Sequence, residues 1–357
     1  MDTSPLAPPD LRGCPRPDRM FTALGKLITG LEWIAQGGYR RRRAPQLVER
    51  DLTVVVEEIR EEASDARSFL LASAGGTELP RWQPGCHIDV VLPSGRRRQY
   101  SLCGDPADRR HYRIAARRLG DGGSRELHER VRAGATLTIR GPRNTFPYAP
   151  AASYLFLAGG IGITPILPMV KHAATGGAPW QLVYTGRSRA SMPFLDELRA
   201  LDAGRVWIRP YDDYGFPSGA ELLRRAPSGA TVYCCGPAPM IASVRRDLPA
   251  SAAAALHVER FSAPPVTGGV PFEVALHRSG RVLTVPADVS ALEVIRQAVP
   301  GVPYSCRQGF CGTCRTRVIS GSAGVEHRDR VLTGRERADT MTICVSRSRG
   351  GRITVDL

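Results

Sequence analysis

The stretch Cys306-Arg307-Gln308-Gly309-Phe310-Cys311-Gly312-Thr313-Cys314, followed by Cys344 near the end of the chain, decides how this sequence reads. Its Cys-x4-Cys-x2-Cys…Cys spacing is that of the plant-type [2Fe–2S] ligand set. Thiolates suit such a cluster because they are soft, anionic donors that stabilise its iron in both oxidation levels. Gly309, Gly312 and Thr313 suit a loop folded tightly enough for backbone N–H groups to reach cluster sulfurs, and glycine supplies the dihedrals such a loop requires. A zinc site would show two paired Cys-x2-Cys half-sites or histidine partners, and only one half-site is present. Cys306, Cys311, Cys314 and Cys344 are therefore the expected metal ligands.

Working outward, two strand-like runs, Phe272 to His277 and Arg281 to Val285, and a helix over Ala291 to Ala298 precede the cysteines. Pro264-Pro265 and Gly268-Gly269 read as the linker that opens this last segment, residues 264–357. Upstream, over 148–263, strand-like runs (Tyr154 to Leu157, Gln181 to Tyr184, Val206 to Arg209, Thr231 to Cys234) alternate with helical stretches, which predicts a parallel α/β sheet. Over 46–147 short β-rich runs (Leu52 to Val56, Ile88 to Leu92, Tyr112 to Ala116, Leu137 to Ile139) are punctuated by Gly, Pro and Asp, the pattern of an antiparallel barrel. Residues 1–45 begin Pro-rich. They continue with Phe21, Leu24, Leu27, Ile28, Leu31 and Ile34 at helical spacing and end in the basic run Arg40 to Arg43. The expected fold is multidomain: β, then α/β, then α+β.

Within the α/β segment, Leu155-Phe156-Leu157-Ala158 leads into Gly159-Gly160-Ile161-Gly162-Ile163-Thr164-Pro165. A strand, a glycine turn and a helix start make a dinucleotide phosphate site: the backbone approaches the pyrophosphate closely and the helix N-terminus faces it. The spacing departs from GxGxxG, and an ordinary strand–turn–helix connection reads the same way. Cys235-Gly236-Pro237 closes a later strand, at the carboxyl edge where open α/β sheets bind ligands. Cys235 fits beside a nicotinamide ring or simply fills a tight turn, and no nucleophilic role is expected of it. In the barrel segment, Arg98-Gln99-Tyr100-Ser101 sets polar groups at alternate strand positions to meet a flavin, although such pairs are commonly solvated cross-strand contacts. Asp121-Gly122-Gly123-Ser124 then opens a helix, a second phosphate-binding arrangement. Cys86 and Cys103 read as small apolar fillers and Cys14 has no visible partner.

Composition bounds the alternatives. The formal charge is +15, yet all but two of the 49 basic residues (Lys26 and Lys171) are arginines scattered through every segment without aromatic interleaving. This reads mostly as a compositional bias of the source genome and not as a nucleic-acid surface. No nucleic-acid partner is expected; a basic surface would instead steer an acidic redox partner. The nine cysteines, in a chain whose start lacks a secretory signal, point to metal ligands and free thiols in the cytoplasm. Ala149 to Val170 carries no charge and approaches bilayer-spanning length, but Gly159-Gly160, Gly162, Pro165 and Pro168 would break a spanning helix. No transmembrane segment is expected.

A barrel with Arg98-x-Tyr100-Ser101, then Gly159-Gly160-Ile161-Gly162-Ile163-Thr164-Pro165, then Cys235-Gly236-Pro237, then a C-terminal ferredoxin closely resembles the phthalate dioxygenase reductase family, which includes vanillate demethylase reductases. The resemblance covers roughly residues 47 to 357, with Gly141-Pro142-Arg143-Asn144-x-Phe146 and Glu259-Arg260-Phe261 as further matches. It implies an antiparallel flavin-binding β-barrel, a parallel α/β nucleotide-binding domain and a C-terminal β-grasp [2Fe–2S] domain. It further implies FMN as the flavin, held by Tyr100, Ser101, Ala115, Ala116, Arg117, Gly122, Gly123, Ser124 and Arg125, with Arg98 nearby and Thr164 and Phe261 on the other side of the ring. Gly159, Gly160, Gly162, Tyr184, Cys235, Gly236 and Pro237 would hold the nicotinamide cofactor. NADH is the family's usual donor; Arg187 and Arg189, after the second strand, keep NADPH open. Flavin accepts two electrons together and releases them singly, and the cluster takes one at a time, so the chemistry belongs to the cofactors.

The implied activity is that of a reductase component passing electrons from NADH through FMN and [2Fe–2S] to a terminal oxygenase, Rieske-type first and cytochrome P450 second. A non-catalytic iron–sulfur redox sensor is the reading from a different class. Residues 1–45 depart from the family's usual start. An amphipathic helix packed on the flavin domain is the plain expectation, and peripheral membrane or partner contact by residues 20–43 is the alternative. A monomer is expected.

Overall fold

The structure, a computed structural model, describes residues 51–357 apart from positions 121, 202, 262 and 264. The expected helix, basic run and membrane contact within residues 1–45, and Cys14, lie outside the described residues.

Six strands form the first sheet: β1 (Asp51–Ala63), β2 (Ala66–Ser73), β3 (Cys86–Val91), β4 (Arg97–Ser101), β5 (His111–Arg117) and β6 (Thr136–Asn144). Their order is β4-β3-β6-β1-β2-β5, with every ladder pairing antiparallel. A single bridge between Leu102 and Ile114 joins the two edge strands and closes the barrel at that point. Alternation sets the core: Val54, Val56, Phe69, Leu71, Ile88, Val90 and Ile114 point inward. Helix α1 (Gly123–Arg130) contributes Leu127 to that core, and its His128 Nε2 meets the Ala116 carbonyl at 2.8 Å.

The second sheet is parallel, in the order β11-β10-β7-β8-β9, from β7 (Tyr154–Gly159), β8 (Trp180–Gly186), β9 (Val206–Pro210), β10 (Ala230–Cys235) and β11 (Ala253–Glu259). The apolar run of β7 is continuous because helices cover both faces. Tyr154, Phe156 and Ala158 pack with α2 (Ile163–Gly176), while Leu155 and Leu157 pack with α3 (Ala238–Asp247). Strand order reverses at β7, so a crevice opens beyond the carboxyl ends of β7 and β10. No helix among the described residues is long and apolar enough to cross a membrane, and the uncharged stretch after Ala149 is β7, its turn and the start of α2.

The third sheet runs β13-β12-β18-β14-β16, from β12 (Phe272–Leu276), β13 (Val282–Val285), β14 (Arg315–Ser320), β16 (Thr340–Thr342) and β18 (Arg352–Val355). Its β12–β18 pair is parallel and the other pairs antiparallel. A short ribbon pairs β15 (Val325–Glu326) with β17 (Arg347–Ser348). Helix α4 (Ala291–Ala298), capped by Ser290 accepting from the Glu293 N–H, buries Ala291, Leu292 and Ile295 in this core. Together they make the expected β-grasp, with the cysteine loop between α4 and β14. The stretch expected to be a linker is tied down at its far end: Arg328 donates to the Thr267 and Gly268 carbonyls at 2.8 and 3.3 Å.

Candidate functional site

The glycine turn after β7 is shaped by close backbone approach. A Cβ on Gly162 would lie 2.3 Å from the Cys235 carbonyl oxygen, and one on Gly159 would lie 2.6 Å from the Pro237 ring. Gly160 has φ +55°, which glycine adopts freely. The turns ending β7 and β10 are thus pressed together, and Gly159, Gly160, Gly162, Cys235, Gly236 and Pro237 converge at the crevice. The Tyr184 hydroxyl braces the turn from within, shared between the Gly160 and Pro193 carbonyls at 3.1 Å each. It is buried and spent on backbone, so its part is to hold the turn. Thr164 is likewise turned to the Ile161 carbonyl at 3.0 Å. Burial holds the Cys235 thiol well above its ordinary pKa, which suits a contact surface and not a reactive thiolate.

The barrel presents its motif to the same region. Arg117, ending β5, donates to the Ser191 carbonyl and pairs with Asp65 at 3.1 Å. It also packs on the glycine turn: a Cβ on Gly160 would come within 2.9 Å of its guanidinium. Ala115 joins the core beneath the parallel sheet and Ala116 that of the barrel. Ser101, buried at the end of β4, donates to Glu259 Oε2 at 3.5 Å, and Glu259 pairs in register with Cys235. Burial pushes the Glu259 carboxyl up to about 8, against a lowering by the Ser101 hydroxyl. Tyr100 packs on the barrel core and is pushed up by burial, whereas Phe261 stays 44% exposed. Gly122 and Gly123 open α1, and Gly123 lies against the Arg98 side chain. The Ser124 hydroxyl is already engaged by the Leu119 N–H at 3.1 Å, and Arg125 pairs with Glu129 at 2.8 Å.

The cysteine loop brings its four thiols together in twos. Cys306 hydrogen-bonds Cys311, lowering that thiol to about 5, and Cys344 hydrogen-bonds Cys314, lowering it too. Among the described residues no three His, Cys or carboxylate side chains converge on one ion position. A two-and-two donor set fits a dinuclear cluster with two thiolates per iron. Gly309 (φ 79°), Gly312 (φ 72°) and Arg307 (φ 57°) supply the left-handed corners, and the Gln308 N–H points at Cys306 Sγ at 3.3 Å. Cys86 and Cys103 are buried free thiols, Cys103 pushed up to about 12 by burial, as apolar fillers should be.

Residues 274–349 match the family model of the 2Fe-2S iron-sulfur cluster binding domain. Vanillate O-demethylase oxidoreductase of Pseudomonas putida is 40% identical over 318 residues, covering 86% of this chain and 100% of that protein. The solved structure of phthalate dioxygenase reductase, described as modular for electron transfer from pyridine nucleotides to [2Fe–2S], is 34% identical with a TM-score of 0.62, covering 86% of this chain and 98% of that one. The chain belongs to the phthalate dioxygenase reductase family. A type IV self-sufficient cytochrome P450 monooxygenase is also similar, 37% identical with a TM-score of 0.63, over 88% of this chain and 43% of that larger one. This phthalate dioxygenase reductase homologue is an oxidoreductase component that carries electrons from a nicotinamide cofactor through a flavin to its cluster.

Three residues of this reductase escape site assignment from sequence. Glu259 was legible only as part of the Glu259-Arg260-Phe261 match. His87 is buried on β3, faces Ser101 across the strand pair and has no partner for Nε2; burial, then Arg143, lowers it to about 4. Tyr304 receives Arg98: Nη2 donates to its hydroxyl at 2.6 Å. Arg98, expected near the flavin, is thus also a contact between the barrel and the cysteine loop. No local sequence signal announces a contact between residues so far apart in the chain.

Proposed function

We propose that the chain accepts hydride from NADH on FMN and delivers electrons singly through the cluster to a Rieske-type terminal oxygenase. The observation that carries this is the junction of Ser101, Glu259 and Cys235, where the barrel motif meets the crevice of the parallel sheet. When bound there, the flavin supplies the conversion from paired to single electrons. The backbone of Gly159, Gly160 and Gly162 would hold the nucleotide's pyrophosphate, with Cys235, Gly236 and Pro237 closing the nicotinamide side. Tyr100, Ser101 and the backbone of Ala115 to Arg117 would line the flavin, with Thr164 and Phe261 facing them. Ser101 and Glu259 keep a proton at this junction, because burial favours the uncharged carboxyl.

FMN is supported by the resemblance and by α1, whose first turn, Gly122 to Arg125, lies beside Arg98 and would meet one terminal phosphate. NADH is favoured because Asp213 pairs with Arg189 at 3.6 Å, neutralising one of the two cations available to a 2′-phosphate. The boundaries 46–147, 148–263 and 264–357 serve as domain limits in this reading, with the protein acting as a cytoplasmic monomer. A cytochrome P450 is the second acceptor, favoured by the likeness to a self-sufficient P450.

A visible spectrum of anaerobically purified protein, before and after stoichiometric NADH, tests the reading. Flavin and cluster bands should both bleach, and heat denaturation should release FMN. Bleaching by NADPH alone would overturn the donor, and released FAD would overturn the flavin. A cluster unmoved by either nucleotide after FMN is restored would leave a redox sensor. Comparing electron delivery to a Rieske oxygenase and to a P450 decides the acceptor.

A further inference from the structure

Seven residues of the cysteine loop, Tyr304 to Phe310, meet residues outside the β-grasp domain at three separate points. Arg98 of β4 donates to the Tyr304 hydroxyl at 2.6 Å and its carbonyl at 3.4 Å, with the guanidinium 4.2 Å from the ring centroid. Gln308 Nε2 donates to the Arg260 carbonyl, just beyond β11, at 2.5 Å. The Phe310 ring meets His87 of β3 edge-on at 6.5 Å. Three points that do not share a line fix the orientation of a rigid body. Arg98 and Arg260 belong to, or directly follow, the strands that carry Ser101 and Glu259, and His87 is the register partner of Ser101 on the neighbouring strand.

Tyr304 is the strongest of the three. It lies two residues before the ligand Cys306 and also carries the Arg296 guanidinium of α4 at 4.6 Å from its ring, itself held by Glu293 at 3.0 Å. Two half-buried cations on one aromatic ring form a joint that exchange with water replaces poorly. Beside it the Ser305 hydroxyl is buried without a partner, and the unpartnered His87 Nε2 lies beneath Phe310.

We propose that Tyr304 is a positioning residue that sets the gap across which the cluster is reduced. The step it serves moves one electron from the reduced flavin to one ferric iron, which becomes ferrous, with no bond made or broken; the nicotinamide cofactor supplies the electrons. Tunnelling falls exponentially with distance, so loosening the joint slows this step and leaves hydride transfer alone. The inference rests on the proposed flavin site at Ser101 and Glu259.

The test uses the full-length protein with flavin and cluster both verified, mixed anaerobically with NADH by stopped flow. In Tyr304→Ala the flavin-bleaching phase should match the parent while cluster reduction slows by about tenfold or more, the scale on which misplacement by about 1 Å acts. Tyr304→Phe, which keeps the ring and loses the hydroxyl contact, should fall between the two. Proteolysis between residues 265 and 271 should accelerate in the same order, with the cluster midpoint potential unchanged. An unchanged cluster phase in Tyr304→Ala, or a slowing fully explained by a shifted potential, would overturn the proposal. If the alanine variant fails to keep its cluster, Tyr304→Phe and Gln308→Ala decide, and parent-like cluster phases in both overturn it. A parent whose flavin fails to bleach with NADH would sink the flavin-site reading itself, before any variant is compared.

Discussion

The carboxyl edge of the parallel sheet makes room for a ligand by removing side chains, whereas the β-grasp domain ties down the segments leading into β12 and α4 by adding one. At the first, Gly159, Gly162 and Gly236 let two turns touch backbone to backbone. At the second, Arg347 is 1% exposed and donates to the carbonyls of Val289 (2.5 Å), Pro286 (2.7 Å) and Val270 (3.1 Å). The parallel sheet also buries an arginine, Arg209, but gives it Glu221 at 2.7 Å. Arg347 has backbone carbonyls and the Phe272 ring, 5.1 Å away, where Arg209 has a carboxylate. A site made from backbone is complete when the sheet folds, while one made from side chains and thiols is completed by what binds it.

The largest effect should follow from breaking the thiol set. Cys311→Ser should abolish the cluster's absorbance and reduction of cytochrome c, while NADH still bleaches the flavin; retention of a full cluster would contradict the assignment. Next comes the backbone site. Gly162→Ala sets a methyl against the Cys235 carbonyl, where neither backbone yields easily. A loss of about 1–3 kcal/mol in stability is expected, with at least about tenfold weaker NADH binding, measured by denaturant unfolding and titration. Unaltered binding would show that the turn is merely a connection.

Arg347→Met sharpens the contrast by keeping the bulk and losing the donors. Three carbonyls would lose their donor, two of them on the exposed residues Val270 and Pro286 where water can take its place, so about 1–3 kcal/mol of local stability should go. Cluster loss on warming should come earlier, while flavin release keeps its parent temperature. Simultaneous loss of both would mean that the two regions unfold as one.

Much of this was legible in the chain. Strand alternation, the glycine turn and the cysteine spacing each report local geometry, and α4 falls on Ala291 to Ala298, where a helix was expected. The arginines were the weak point. Composition reads them as bias, yet Arg98, Arg117, Arg209 and Arg347 each bind carbonyls or a carboxylate at a structural joint. Such a role depends on what the fold brings alongside, across a domain seam for Arg98 and Arg117 and within one domain for Arg209 and Arg347, which spacing does not encode. The same blindness hid Tyr304 and left Glu259 as a matched residue without a task.

Glu259 offers the smallest and most discriminating effect, because it stands where the two building methods meet. Its carboxyl is raised from 4.5 to about 8 by burial, so the folded protein holds a proton that the unfolded chain releases. The stability this proton confers is complete below about pH 4.5 and is lost as pH rises through about 8. Glu259→Gln keeps the hydrogen-bonding shape without the titration, so its melting temperature should stay flatter between pH 5 and 9. The difference between the two curves is expected to grow from about pH 5 up to about 8 and to level off above it. Parallel curves would mean that water reaches the carboxyl and that the junction between barrel and crevice is open.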